Sequence, residues 1–64
     1  MQDAELQEIF ARLTAQFEDC ATLSAEGQRF GISREEAREL LREIREIGKV
    51  AELSLSRVEQ YLHS

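Results

Sequence analysis

LSAEGQRFGISREEARELLR, residues 23–42, is the stretch on which the reading of this chain turns. Within it, Ser33 and Glu36 form a capping box: the serine hydroxyl takes the backbone N–H three residues on, and the glutamate reaches back. Gly31, just before, supplies the left-handed conformation that closes a preceding helix. The pattern therefore predicts a short helix begun by Thr22 or Ser24, a turn at Gly31, and a longer helix from Ser33 to about Ile47, stopped by Gly48. Phe30 is expected as a core anchor, with Ile32 filling the turn. Gly27 weakens a free helix, which makes sense where another helix crosses closely.

At 100° per residue the longer helix divides into stripes. Ala37, Leu40, Leu41, Ile44 and Ile47 form an apolar one. Arg34, Arg38, Arg42, Arg45 and Lys49 form a basic one, and Glu35, Glu39, Glu43 and Glu46 an acidic one. Pairs such as Glu35–Arg38 and Glu39–Arg42 stabilise a helix by a few tenths of a kcal/mol each, about 0.2–0.5. Pairing does not require segregation by sign. Aligning Arg34, Arg38 and Arg42 costs like-charge repulsion, which points to a use for the stripe.

Working outward, Asp3 is placed to cap an N-terminal helix running to about Cys20, with Glu5 and Glu8 near its positive end. Leu6, Ile9, Phe10, Leu13, Phe17 and Cys20 recur on one face of it. Beyond Gly48, residues 50–53 read as a short strand or loose turn. Ser56 with Glu59 then suggests a last short helix packing Val58 and Leu62. The expected fold is all-α: a single domain over residues 1–64, with three or four helices, a helix-turn-helix unit and no clear wing. Its parts are an acidic N-terminal helix (1–22), the helix-turn-helix unit (23–48) and a short C-terminal helix (49–64). The expected core joins Phe10, Leu13, Phe17, Phe30, Ile32, Ala37, Leu40, Leu41 and Ile44.

Size and charge bound the function. A chain of 64 residues buries only about 60% of its unfolded surface, so its core is thin. Its lone Cys20 excludes an internal disulfide, and Cys20 with His63 falls short of a four-ligand metal site, so neither metal nor cofactor is expected. Self-association is the remaining remedy, and a homodimer sealed by Ile9, Phe10, Val58, Tyr61 or Leu62 is expected. The unpaired cysteine and the absence of a signal-peptide pattern point to the cytoplasm. No apolar run approaches the roughly 20 residues of a membrane span. The net charge is −5, with acid concentrated in residues 1–22 and the cations in the centre. A chain this short leaves little room for a catalytic cleft, so no enzyme is expected.

Residues 23–42 also carry a family likeness. They resemble the helix-turn-helix of bacterial and phage DNA-binding regulators: Gly27 at the helix crossing, Gly31 at the turn, Ile32 after it, and Phe30, Ala37 and Leu40 at buried positions. That resemblance implies a transcription regulator binding duplex DNA through the helix starting at Arg34. Ser33, Arg34, Glu35, Arg38, Glu39 and Arg42 would face the groove, with Arg29, Arg45 and Lys49 on the backbone. The alternative is a protein-interaction module, such as an adaptor, antirepressor or inhibitor, that uses the same helical fold. RFGISREEARELL also looks faintly like the glycine loop and second helix of ubiquitin-associated domains, with residues 58–62 as a third helix.

Overall fold

The computed structural model describes residues 3–63; Met1, Gln2 and Ser64 of the expected domain lie outside the described residues. The chain is all-helical and forms a hairpin of two helices, α1 (Ala4–Gly27) and α2 (Arg34–His63). Both begin where the sequence places caps. The Leu6 N–H donates to Asp3 Oδ1 at 3.1 Å. The Glu36 N–H donates to Ser33 Oγ at 3.0 Å, while the Ser33 N–H donates to the Glu36 carboxylate at 3.1 Å. Gly31 adopts φ 81° in the connection, a conformation that suits glycine. Arg29 there reaches Glu36 at 2.6 Å, tying the connection to the first turn of α2.

The helices run antiparallel. At the open end the Tyr61 hydroxyl donates to the Asp3 carboxylate, and Arg57 approaches Glu5 at 3.8 Å. At the closed end a Cβ on Gly27 would lie 3.8 Å from Leu40 Cδ1, an ordinary contact, so α2 passes beside Gly27 but leaves room there for a side chain. Between those ends both helices present a seam at alternating three- and four-residue steps. On α1 it is Leu6, Ile9, Leu13, Gln16, Cys20 and Leu23; on α2 it is Leu40, Ile44, Ile47, Ala51, Ser54 and Val58. Every one of these residues is buried or half-buried, and Ile9, Leu13, Ala51 and Val58 form the core cluster. This spacing belongs to a coiled coil, in which positions a and d of each seven-residue repeat meet the partner helix.

The structure corrects several expectations. There are two helices among the described residues, not three or four, because α1 runs through Cys20–Thr22 and α2 runs through Gly48. Thr22 caps nothing: its hydroxyl donates back to the Glu18 carbonyl at 3.0 Å, a bond made inside a continuing helix. Gly48 lacks the left-handed conformation that would end a helix, and the seam continues past it from Ile47 to Ala51. Ser56 and Glu59 likewise sit mid-helix, and residues 50–53 are helical. The expected core is displaced too. Of its members only Leu13 is buried; Ile32, Leu40 and Ile44 are half-buried, and Phe10, Phe17, Phe30, Ala37 and Leu41 are exposed. Phe30, at the bend, anchors no core and is fully exposed.

Candidate interaction surface

The residues expected to bind DNA lie on the connection and along α2 as far as its middle, at Lys49, and all are exposed. Ser33 is engaged as the cap of α2. Arg29 is held by Glu36, Arg42 by Glu39, and Lys49 stands 3.5 Å from Glu46. Arg34, Arg38 and Arg45 form no ion pair among the described residues. The cations are therefore interleaved with carboxylates on the outer surface of α2. Glu36 is held below the ordinary carboxylate range, first by the Ser33 N–H, then by the Ser33 hydroxyl and Arg29.

The residues expected to seal a dimer divide into two groups. Ile9 and Val58 face the other helix of the same chain, with Ile9 only 3% exposed. Tyr61 closes the open end on Asp3. Phe10 and Leu62 point outward, into a feature the sequence reading missed. One position beyond each d residue, at position e of the repeat, α1 carries Phe10, Phe17 and Ser24, and α2 carries Leu41, Gly48, Leu55 and Leu62. In an antiparallel pair these two rows border the same side of the seam. Phe10, Phe17 and Leu55 line one groove there together with Leu13, Thr14 and Ala21, with Glu18 at its rim.

Between Asp3 and Arg34, which stand at the ends of the two rows, that side carries no charge, yet its side chains face solvent: Phe10 is 51% exposed, Phe17 56% and Leu62 66%. The opposite edge, at position g, holds Glu5, Arg12, Asp19 and Glu26 on α1, and Glu36, Glu43, Val50 and Arg57 on α2. The Glu5–Arg57 pair bridges that edge. The hairpin thus has one charged edge and one apolar edge. The signal for the apolar one was in the sequence as a seven-residue spacing, at 10 and 17 and at 41, 48, 55 and 62.

Among the described residues no helix is long and apolar enough to cross a membrane, and no three His, Cys, Asp or Glu side chains converge as metal ligands. The geometry defines an αα-hairpin with an antiparallel coiled-coil seam. No family model, curated protein or solved structure matches the chain.

Proposed function

We propose that this chain is a cytoplasmic protein-interaction module, of the adaptor, antirepressor or inhibitor kind, that presents the apolar edge of its hairpin to helical protein surface. The observation that carries this reading is the uncharged double row of Phe10, Phe17, Leu41, Leu55 and Leu62, exposed on an otherwise highly charged molecule. Contiguous apolar surface rimmed by polar residues marks a site of association. Aromatic side chains supply the largest share of such interfaces.

Duplex DNA binding through the helix starting at Arg34 is the second reading, favoured by the exposed Arg34, Arg38 and Arg45. It has less support. A helix-turn-helix sets its two helices at roughly 90–120°, whereas here they lie antiparallel, and Glu35, Glu39 and Glu46 share the outer surface that phosphates would approach. The likeness to ubiquitin-associated domains needs a third helix, and residues 58–62 continue α2 instead.

Selection from a random duplex library at low salt, run beside a binding assay for purified protein complexes, separates the two. The expected result is no enriched DNA motif and a stoichiometric complex that Phe10→Gln/Phe17→Gln abolishes and Arg42→Ala leaves intact. An enriched motif lost in Arg42→Ala and kept in the phenylalanine variant would move the assignment to DNA.

A further inference from the structure

The apolar edge has a size and a pattern of its own. Positions a, d and e are apolar or small over most of both helices, which is the width of a bundle helix; a two-helix seam needs a and d alone. The chain exposes 5330 Å², roughly 1,100 Å² more than the approximately 4,200 Å² of a compact monomer of its 7.4 kDa mass. A standard interface takes about 800 Å² from each partner. The excess is of the right order for one more protein surface.

We infer that a second copy of this chain covers the apolar edge, giving a two-fold four-helix bundle in which α2 packs antiparallel on α2 across Gly48. The inference rests on the reading of that edge as an interaction surface and names its occupant.

Charge selects both the occupant and its orientation. Beside the apolar row, α2 carries Arg38, Arg45, Glu52 and Glu59 at seven-residue intervals, basic towards the bend and acidic towards the open end. None of them forms an ion pair among the described residues. The matching row on α1 is Gln7, Thr14 and Ala21, without charge. Turned end for end about an axis through Gly48, the α2 row meets itself with opposite signs. Arg38 then lies against Glu59 of the second copy, and Arg45 against Glu52 of the second copy. The same rotation sets Leu41 against Leu55 of the second copy. A rotation keeping both bends at one end would lay the charged row over uncharged α1 and leave it unanswered.

Gly48 fits this arrangement. A Cβ built there meets nothing within 4 Å, so the hairpin itself has no need of glycine at that point. Mid-helix glycine weakens a helix, and a second backbone passing close at the axis gives it a use. Much of the acidic excess is turned away from the contact: Glu5, Asp19, Glu26, Glu36 and Glu43 lie along the opposite edge, while Glu18 stands at the rim of the Phe10–Phe17 groove.

The test uses the full chain. Sedimentation from low to high micromolar concentration should give a mass twice 7.4 kDa. In a Cys20→Ser background, mild oxidation of Gly48→Cys should yield a linked dimer at least about tenfold faster than Ala11→Cys, which sits on the outer surface of α1 and reports random collision. Under reducing conditions, Glu52→Arg/Glu59→Arg and Arg38→Glu/Arg45→Glu should each self-associate about tenfold more weakly. Mixed one to one, they should recover to within a few-fold of the parent, a recovery that high salt erases. Circular dichroism checks that each variant is still helical. A monomer at every concentration overturns the inference, as does a dimer with neither the Gly48→Cys link nor the charge rescue. If the chain is a monomer yet Phe10→Gln/Phe17→Gln abolishes a complex with another protein, the second copy is excluded and the interaction reading stands. If that variant changes neither self-association nor any complex, the interaction reading fails with it.

Discussion

At the scale of single residues the hairpin is fastened by its ends. Asp3 serves twice, capping α1 and accepting from Tyr61 near the other terminus. Tyr61 above all, and then the Leu6 N–H, hold the Asp3 carboxyl below its ordinary range, while Asp3 pushes the Tyr61 hydroxyl up. The signs follow from linkage. Asp3 and Glu36, both lowered, contribute stability that is present above their unfolded values and lost as pH falls through their folded ones. Tyr61, raised, contributes stability that is full below its unfolded value and lost as pH rises through its folded one. The melting temperature should therefore decline on both limbs of a pH series, and Tyr61→Phe should flatten the alkaline limb and soften the acid one. A Tyr61→Phe profile that overlays the parent at every pH would remove the end clasp from this account. Gln16 is a different case, because it sits in the seam with Oε1 buried and no donor to it among the described residues. Leaving such a group unsatisfied costs about 1–3 kcal/mol. Gln16→Leu should thus stabilise the fold by about 1–2 kcal/mol in urea titration, at the expense of the register control that a polar seam position provides.

At the scale of elements, Gly48 and Gly31 are glycines with opposite consequences. Gly31 holds φ 81°, so Gly31→Ala should cost about 1 kcal/mol through backbone strain. Gly48 is helical with open space around it, so Gly48→Ala, measured where the chain is monomeric, should stabilise α2 by about 0.5–1 kcal/mol. Urea melts of the two variants at low concentration check both signs. The same comparison explains how much was legible beforehand. The caps at Asp3 and Ser33, the turn at Gly31 and the all-α class were readable, because each is set by bonds within a few residues. Breaks at Cys20–Thr22 and Gly48 were also read from local signals, but there the seam decides. Leu23 and Ala51 continue the three-four alternation across both points, and burying it against a partner helix outweighs a weak helix former. The misplaced core has a related cause. Phe10 and Phe17 share a stripe with Ile9, Leu13 and Cys20 at helical resolution, and only a partner helix at a fixed angle separates positions a and d from e. The expected nucleic-acid residues were found at the surface as a group, while the apolar edge that borders both helices needed the antiparallel pairing to become visible.

At the scale of the whole molecule the shape itself carries a consequence. The radius of gyration is 15.1 Å, against about 11 Å for a compact chain of this length, and the core cluster is confined to Ile9, Leu13, Ala51 and Val58 with Leu6 packed beside it. A single seam of that size is a small counterweight to the conformational entropy of an ordered chain. Covering the apolar edge with a second copy would bring Phe10, Phe17, Leu41 and Leu55 into a shared core and tie folding to association. In that case the unfolding equilibrium has one dimer on one side and two chains on the other, and mass action makes the midpoint depend on concentration. With an unfolding enthalpy of about 0.7 kcal/mol per residue over two chains, the melting temperature should rise by about 5 °C for each tenfold increase in protein. Phe17→Gln, at an exposed position of the isolated hairpin, should remove most of that dependence and lower the midpoint at high concentration. At low concentration it should leave the midpoint close to that of the parent, because Phe17 makes no part of the intrachain core. Scanning calorimetry of both proteins across a wide concentration range measures this directly. A parent midpoint that does not move with concentration would mean that the hairpin stands on its own seam, and that the apolar edge awaits a partner other than itself.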